Sequence, residues 1–233
     1  FGIQYQVWKK RGSVYGTSIW LQWNFSGWVI LQLALIDNLA ISQFNNNSEK
    51  KPMTTKKRIL FLGASITQGK ISVSYVKMLK EKLGTAYYEY INHAVAGYEA
   101  YNVLVKLDKA IDIKPDFVVL LVGTNDVTSS LDPVLAVRTR KWKHIPHEPK
   151  LENYSNNITA IIRKLKRETN ATLALASLPV IGENLESAEN KALDQYNKAL
   201  KQIADQENVC YIPVNERQKA FLIERNGGSG KEA

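Results

Sequence analysis

The sequence predicts an α/β protein, a three-layer α/β/α sandwich built on a five-stranded parallel sheet. Two observations support this fold class. Apolar strand-like runs alternate with helix-spaced runs five times along the chain, and two of the strand-like runs, residues 59–62 and 116–122, are almost continuously apolar. Such runs are typical of strands that are buried on both faces of a parallel sheet. The sequence therefore predicts helices packed on both sides of one sheet.

The elements can be assigned in order from residue 58. After the first strand, Val76, Leu79 and Leu83 recur at helical spacing, and Gly84 follows as a helix stop. The other predicted strands span residues 87–92, 116–122, 172–178 and 209–214, and the helices span 72–83, 98–111, 151–167, 188–206 and 216–224. The basic connection 127–150 is long for a loop, and two interpretations are open: a lid beside the substrate, or a solvated basic loop.

Composition restricts the class of function. The net charge is +9, but residues 1–58 hold eight Lys and Arg against two Asp and Glu, so +6 of it lies outside the main domain. The remaining residues show no basic and aromatic stripe of the kind that binds single-stranded nucleic acid, and no nucleic-acid partner is predicted. The single cysteine, Cys210, excludes disulfides within the chain and is expected to be a buried, inert thiol.

Residues 1–57 are predicted to form an N-terminal extension. Residues 12–36 are uncharged and rich in Trp and Leu, and they are long enough to span a bilayer. Three interpretations are open: a membrane anchor or contact, a poor signal-like segment, and a non-native extension. Residues from Met53 resemble a natural start that leads into the first strand. The chain would be cytoplasmic if the domain starts there, and membrane-anchored if residues 17–36 are native. Residues 58–225 form the predicted domain, and 226–233 a flexible tail.

The stretch 58–69 carries the candidate chemistry. Its apolar strand ends at Gly63, and Ser65 lies just beyond the carboxyl end of the strand, where parallel sheets present functional groups. A P-loop needs four residues between its glycines, whereas Gly63 and Gly69 are separated by five, and Lys70 lacks a following Ser or Thr. No Gly-x-Gly dinucleotide fingerprint is present either. The spacing therefore argues against both kinds of phosphate-binding loop, and no cofactor is predicted.

Two further loops complete the candidate site. Residues 92–97 and 123–126 each follow a predicted strand, so they should meet the Ser65 loop at one edge of the sheet. Acyl transfer from serine needs donors aimed at the developing oxyanion. Gly97 allows a backbone N–H to approach a substrate closely, and the Asn125 amide is a neutral side-chain donor. Gly97 and Asn125 therefore have the chemical types that acyl transfer from Ser65 would need, on two loops that should converge with its own.

These three loops resemble the motifs of the SGNH (GDSL-type) hydrolase family. Residues 63–69 read Gly-Ala-Ser-Ile-Thr-Gln-Gly with Ala64 in place of the usual Asp, residues 92–97 resemble Asn-x-Gly-x-x-Gly with Ala94 in place of the first Gly, and residues 123–126 keep Gly-x-Asn-Asp. The resemblance implies a flavodoxin-like sandwich and a metal-free serine esterase or lipase-like hydrolase acting on a small-molecule ester. It also implies that Ser65 is the nucleophile and that the N–H groups of Ser65 and Gly97 and the Asn125 amide form the oxyanion hole.

The family's fourth motif is missing from the chain. The resemblance implies an Asp-x-x-His after the fifth strand, but no histidine follows His147. His93 is expected to order its loop, and His144 and His147 lie in the long connection without a third metal ligand nearby, so no metal site is predicted. Two explanations are considered: a fragment that stops before its catalytic histidine, which is preferred, and an inactive relative. A non-catalytic acyl- or carbohydrate-binding module on the same fold is the alternative function.

Overall fold

The computed structural model describes residues 55–70 and 73–225. Its five strands are all parallel and form one sheet in the order β2-β1-β3-β4-β5. They are β1 (Lys57–Gly63), β2 (Tyr88–Asn92), β3 (Phe117–Leu121), β4 (Thr172–Ala176) and β5 (Cys210–Ile212). The predicted five-stranded parallel sheet is therefore confirmed. All strands point the same way, so the loops after β1, β2 and β3 lie at one edge of the sheet.

Helices cover both faces of the sheet, and alternating side chains of each strand supply the two cores. The helices are α1 (Ser65–Gln68), α2 (Tyr75–Leu83), α3 (Ala100–Val105), α4 (Leu107–Ile111), α5 (Thr124–Leu131), α6 (Pro133–Lys143), α7 (Leu151–Glu168), α8 (Ala188–Gln206) and α9 (Val214–Arg225). Leu60 of β1 packs in the core with α3, α4, α7 and α8, whereas the adjacent Phe61 packs in the core with α2 and α9. This alternation explains why residues 59–62 of β1 and all residues of β3 are apolar.

The connection 127–150 differs from the expected loop. It contains most of α5 and all of α6, which meet at Asp132. The Asp132 carboxylate accepts the N–H groups of Val134 (2.9 Å) and Leu135 (3.0 Å), and Pro133 occupies the first helical position. An acidic cap followed by proline is a recognised helix start, so the sequence did hold the signal. The prediction that this segment is a loop was wrong, because residues 127–131 and 133–143 are helical. Its role as a lid beside the substrate stays a prediction.

Two smaller expectations also change. The predicted helix 98–111 is two helices, because the backbone leaves helical geometry at Lys106 (φ −106°, ψ 6°). Cys210 is only half-buried on β5, although that partial burial still raises the pKa of its thiol.

The proposed extension, anchor and tail lie outside the described residues, apart from residues 55–57. Within residues 55–70 and 73–225, no helix has the length and apolarity needed to cross a bilayer.

Candidate active site

The turn from β1 into α1 is fixed by close packing around Ser65. A Cβ atom on Gly63 would lie 2.3 Å from Thr67 Oγ1 and 2.4 Å from the Leu121 carbonyl oxygen of β3. The fully buried Thr67 hydroxyl contacts that same carbonyl (3.4 Å) and accepts a hydrogen bond from the Tyr75 hydroxyl (3.2 Å). Packing thus accounts for Gly63 and Thr67 of the motif. Ser65 begins α1 and remains half-buried at the edge of the sheet.

The Ala64 position departs from the family pattern in a way that the core explains. The side chain is 8% exposed and belongs to the core cluster that also includes Leu62. Its carbonyl accepts the Gln68 N–H at 2.9 Å, which closes the first turn of α1. The turn is therefore held by apolar packing and backbone bonds, without a carboxylate at residue 64.

The loop after β2 is bonded directly to the Ser65 turn. The Asn92 amide donates to the Thr67 carbonyl at 2.6 Å, and its oxygen accepts the Ala94 N–H at 3.1 Å. The Val95 N–H donates to the Gly63 carbonyl at 3.2 Å. These bonds join the two loops on either side of Ser65. They fix the path of the backbone as it approaches Gly97.

The loop after β3 is joined to the same assembly through Asn125. Gly97 has φ +78°, a backbone geometry that favours glycine, and is half-buried. The side-chain amide of Asn125, in the first turn of α5, donates to the carbonyl of Tyr98 at 2.8 Å. An asparagine amide has two hydrogens, so one remains for a second acceptor. Ser65, Gly97 and Asn125 therefore lie on three loops that are hydrogen-bonded one to the next.

A buried charged cluster lies directly behind these loops, and no periodic pattern in the sequence pointed to it. Glu99 and Asp126 are 3% and 6% exposed. Both Asp126 oxygens accept the Ala100 N–H at 3.2 Å, and Glu99 accepts the Ser129 hydroxyl at 2.8 Å. Burial raises the pKa of both carboxyls, with the proximity of Glu99 adding to the shift at Asp126. The half-buried Lys143 at the end of α6 lies near both and donates to the Gly97 carbonyl.

The three histidines occupy different environments. His147 has both ring nitrogens engaged, with the Asn157 amide at 3.2 Å and the Glu148 carbonyl at 3.3 Å, and its ring packs edge-on against Tyr101. His144 is exposed and ends α6 in a left-handed conformation. The His93 N–H donates to the Phe61 carbonyl at 2.9 Å. In the described part of the chain, no group of three or more His, Cys, Asp or Glu side chains could hold a metal ion.

The loop after β4 is held by side-chain amides that sequence reasoning did not single out. Asn197 makes two bonds to the backbone of Leu178 (2.7 and 3.0 Å), and Asn190 accepts the Ile181 N–H at 2.9 Å and donates to its carbonyl at 2.8 Å. From α9, Asn215 donates to the Leu178 carbonyl at 3.0 Å. This loop is thus a rigid neighbour of the site at the same sheet edge.

A pocket of about 310 Å³ lies behind the Gly97 turn, between the sheet and helices α3 and α4. Its lining includes Leu62, Val95, Tyr98 and Leu107, with His93 and Lys106 among its polar groups. Neither Ser65 nor Asn125 lines it. The pocket therefore shares the Tyr98 turn with the candidate site but is separate from Ser65.

The comparisons with known proteins agree with this architecture. Residues 61–228 match the GDSL-like Lipase/Acylhydrolase family. An acetylxylan esterase of Geobacillus stearothermophilus is 24% identical over 181 residues, which are 70% of this chain and 77% of that protein. The crystal structure of an acetyl xylan esterase superposes with a TM-score of 0.59 at 24% identity, over 75% of this chain and 85% of that one.

A second solved structure, an acetylxylan esterase from Geobacillus stearothermophilus, gives a TM-score of 0.58 at 21% identity, over 74% of this chain and 82% of that one. These structures share the fold, and the family match extends from β1 through α9. The chain belongs to the GDSL-like lipase/acylhydrolase family, the SGNH-type ester hydrolases.

Proposed function

We propose that Ser65 is the nucleophile of a carboxylic ester hydrolase and that Gly97 and Asn125 stabilise the oxyanion. The observation that carries this assignment is the set of hydrogen bonds that joins their three loops. The Val95 N–H binds Gly63, the Asn92 amide binds Thr67, and the Asn125 amide binds Tyr98. Acyl transfer requires a nucleophile and hydrogen-bond donors for the oxyanion. Here a serine hydroxyl, a backbone N–H and a carboxamide are present on three turns that hydrogen bonds join together.

In the proposed reaction, Ser65 Oγ attacks the carbonyl carbon of the ester while a base takes the hydroxyl proton. The carbonyl oxygen becomes an oxyanion, which accepts hydrogen bonds from the N–H groups of Ser65 and Gly97 and from Asn125 Nδ2. Collapse of this intermediate expels the alcohol, which gains a proton, and leaves an acyl group on Ser65. Attack by water then releases the carboxylic acid and restores the serine.

We propose an acetyl ester of a carbohydrate as the substrate class, because the similar proteins are acetylxylan esterases. Solved variants of the Geobacillus stearothermophilus enzyme include catalytic mutants at a serine, an aspartate and a histidine three positions after that aspartate. A catalytic serine in that enzyme supports the proposed role of Ser65. The test compares acetylated xylo-oligosaccharides with p-nitrophenyl esters of two and twelve acyl carbons. Faster hydrolysis of the long-chain ester would contradict the proposed class and favour a lipase.

The acid and base need a separate test, since His147 is held by Asn157 and Glu148 and no histidine follows it. The two explanations for the missing histidine, a fragment and an inactive relative, predict different coding sequences after Ala233. An Asp-x-x-His encoded in the reading frame past Ala233 would supply the pair as in the resembled family. A stop codon directly after Ala233 would instead favour the alternative function, a non-catalytic acyl- or carbohydrate-binding module. That module would bind acetylated xylo-oligosaccharides in calorimetry without releasing acetate.

Replacing Asn125 with alanine should lower kcat by about 10²- to 10³-fold, which is the usual cost of removing one oxyanion donor. The reason is that its amide binds the oxygen more strongly when charge develops, so KM should change far less than kcat. The measurement is the steady-state rate of acetate release by the natural full-length protein. Asn156→Ala, which removes an exposed amide on α7, is the matched control and should keep the wild-type rate. Equal rates for both variants would contradict the role of Asn125.

A further inference from the structure

The end of α6 brings one cationic side chain to the turn that carries Gly97. Trp142 next to it is 79% exposed, whereas Lys143 is half-buried. The Lys143 ammonium donates to the Gly97 carbonyl, and a Cβ atom placed on Gly97 would lie 3.5 Å from Nζ and 3.7 Å from Cε. The last part of the lysine side chain therefore lies along the Gly97 backbone.

The same lysine lies near two buried acidic groups. Glu99 on the Gly97 side and Asp126 of α5 both interact with its charge, and His147 also faces Glu99. Burial lowers the pKa of Lys143, while the two carboxyls oppose that shift. The two carboxyls therefore favour a cationic side chain at this position beside Gly97.

Two consecutive carbonyls of the turn are held by side chains from the connection that follows β3. Lys143 binds the carbonyl of Gly97, and the Asn125 amide binds the carbonyl of Tyr98 at 2.8 Å. Gly97 adopts φ +78°, a conformation that it can leave easily because it has no side chain. A turn centred on glycine needs such external contacts to keep its N–H in one direction.

We propose that Lys143 is a positioning residue for the oxyanion site, acting through the Gly97 backbone. Its ammonium, bound to the Gly97 carbonyl, fixes the Gly97–Tyr98 peptide and thereby the turn in which the Gly97 N–H faces the developing oxyanion. This inference rests on the proposed function and extends it to a residue that lies outside the family's motifs. Lys143 does not contact the reacting atoms in this role.

The test uses Lys143→Met, which keeps the unbranched shape of the side chain up to the position of Cε and removes its charge, and Lys143→Arg, which keeps the charge and a donor. Lys141→Met removes an exposed charge from the same turn of α6 and serves as the control. Lys143→Met should lower kcat roughly 10- to 100-fold, as small misplacements of catalytic groups do, with KM changed less than about threefold. Lys143→Arg should recover most of the lost rate, and Lys141→Met should retain the wild-type rate.

A second readout does not depend on activity. The amide resonances of Gly97 and Tyr98 in ¹⁵N-correlated spectra should shift in Lys143→Met and stay unchanged in Lys141→Met. Unchanged Gly97 and Tyr98 resonances in Lys143→Met would overturn the positioning contact, whether or not the wild type hydrolyses esters. An unchanged kcat for Lys143→Met in an active enzyme would overturn its role in the reaction. A wild-type full-length protein that hydrolyses no ester would overturn the proposed function, while the resonances would still test the contact.

Discussion

Ser65→Ala should reduce ester turnover by the natural full-length protein by at least about 10³-fold, because no other group replaces the attacking oxygen. Ser65 begins α1 immediately after a turn that Gly63 and Thr67 hold in place, so loss of one hydroxyl leaves the surrounding packing intact. The fall should appear in kcat with little change in substrate binding. The measurement is acetate release from an acetylated xylo-oligosaccharide, followed together with covalent labelling by a fluorophosphonate.

The control for this prediction is Ser155→Ala. The Ser155 hydroxyl donates to the Leu151 carbonyl within α7 at 2.8 Å, away from the three loops, so its removal should leave the rate unchanged. Labelling should be lost in Ser65→Ala and retained in Ser155→Ala. A Ser65→Ala protein that is still labelled and still releases acetate at the wild-type rate would show that another residue is the nucleophile.

Gly63→Ala should lower the free energy of unfolding by about 4 kcal/mol, at the upper end of single-substitution effects. The added methyl group would lie 2.4 Å from the Leu121 carbonyl oxygen and 2.3 Å from Thr67 Oγ1. The carbonyl belongs to β3, the central strand, and cannot move without disturbing its pairing with β1 and β4. Urea denaturation followed by circular dichroism measures the change.

Two variants separate this collision from other effects. Gly182→Ala has open space around the new methyl group and is strained only by φ +69°, so it should cost only about 1–2 kcal/mol. Adding Thr67→Ala to Gly63→Ala removes the hydroxyl contact but leaves the Leu121 carbonyl in place, so the double variant should remain strongly destabilised. If the Gly63→Ala protein is at least as stable as the Gly182→Ala protein, the turn must relax around the added methyl group.

The sequence predicted the sheet well because buried parallel strands leave an unmistakable apolar pattern. Strand β3 was predicted as 116–122 and spans Phe117–Leu121, and helix α8 was predicted at 188–206 with the bounds that the structure has. The three loops that carry Ser65, Gly97 and Asn125 were also predicted, since each follows a strand in a fixed chain order. Their roles in the reaction stay predictions until the variants above are measured.

What the sequence could not predict depends on contacts between distant segments. Lys143 was one basic residue among several in the connection 127–150, and only the fold shows that it lies against Gly97, 46 positions away. The amides of Asn197 and Asn215 likewise carried no signal in the sequence, whereas the fold directs them into the backbone of the loop after β4. The start of α6 was predictable from Asp132 and Pro133. It was missed because the connection 127–150 was interpreted as a loop from its length and its basic residues, and the helix cap at Asp132 was not considered.

The direction of β1 also matters for how this protein could be handled or attached. Lys57 begins the strand and Gly63 ends it, so six steps of about 3.3 Å each place the incoming backbone roughly 20 Å from Gly63 and the turn that carries Ser65. A tag, a fusion partner or a surface tether joined ahead of Lys57 would therefore meet the protein on its far side. Immobilised in that way, the molecule would present the turn that carries Ser65 outward, away from the support.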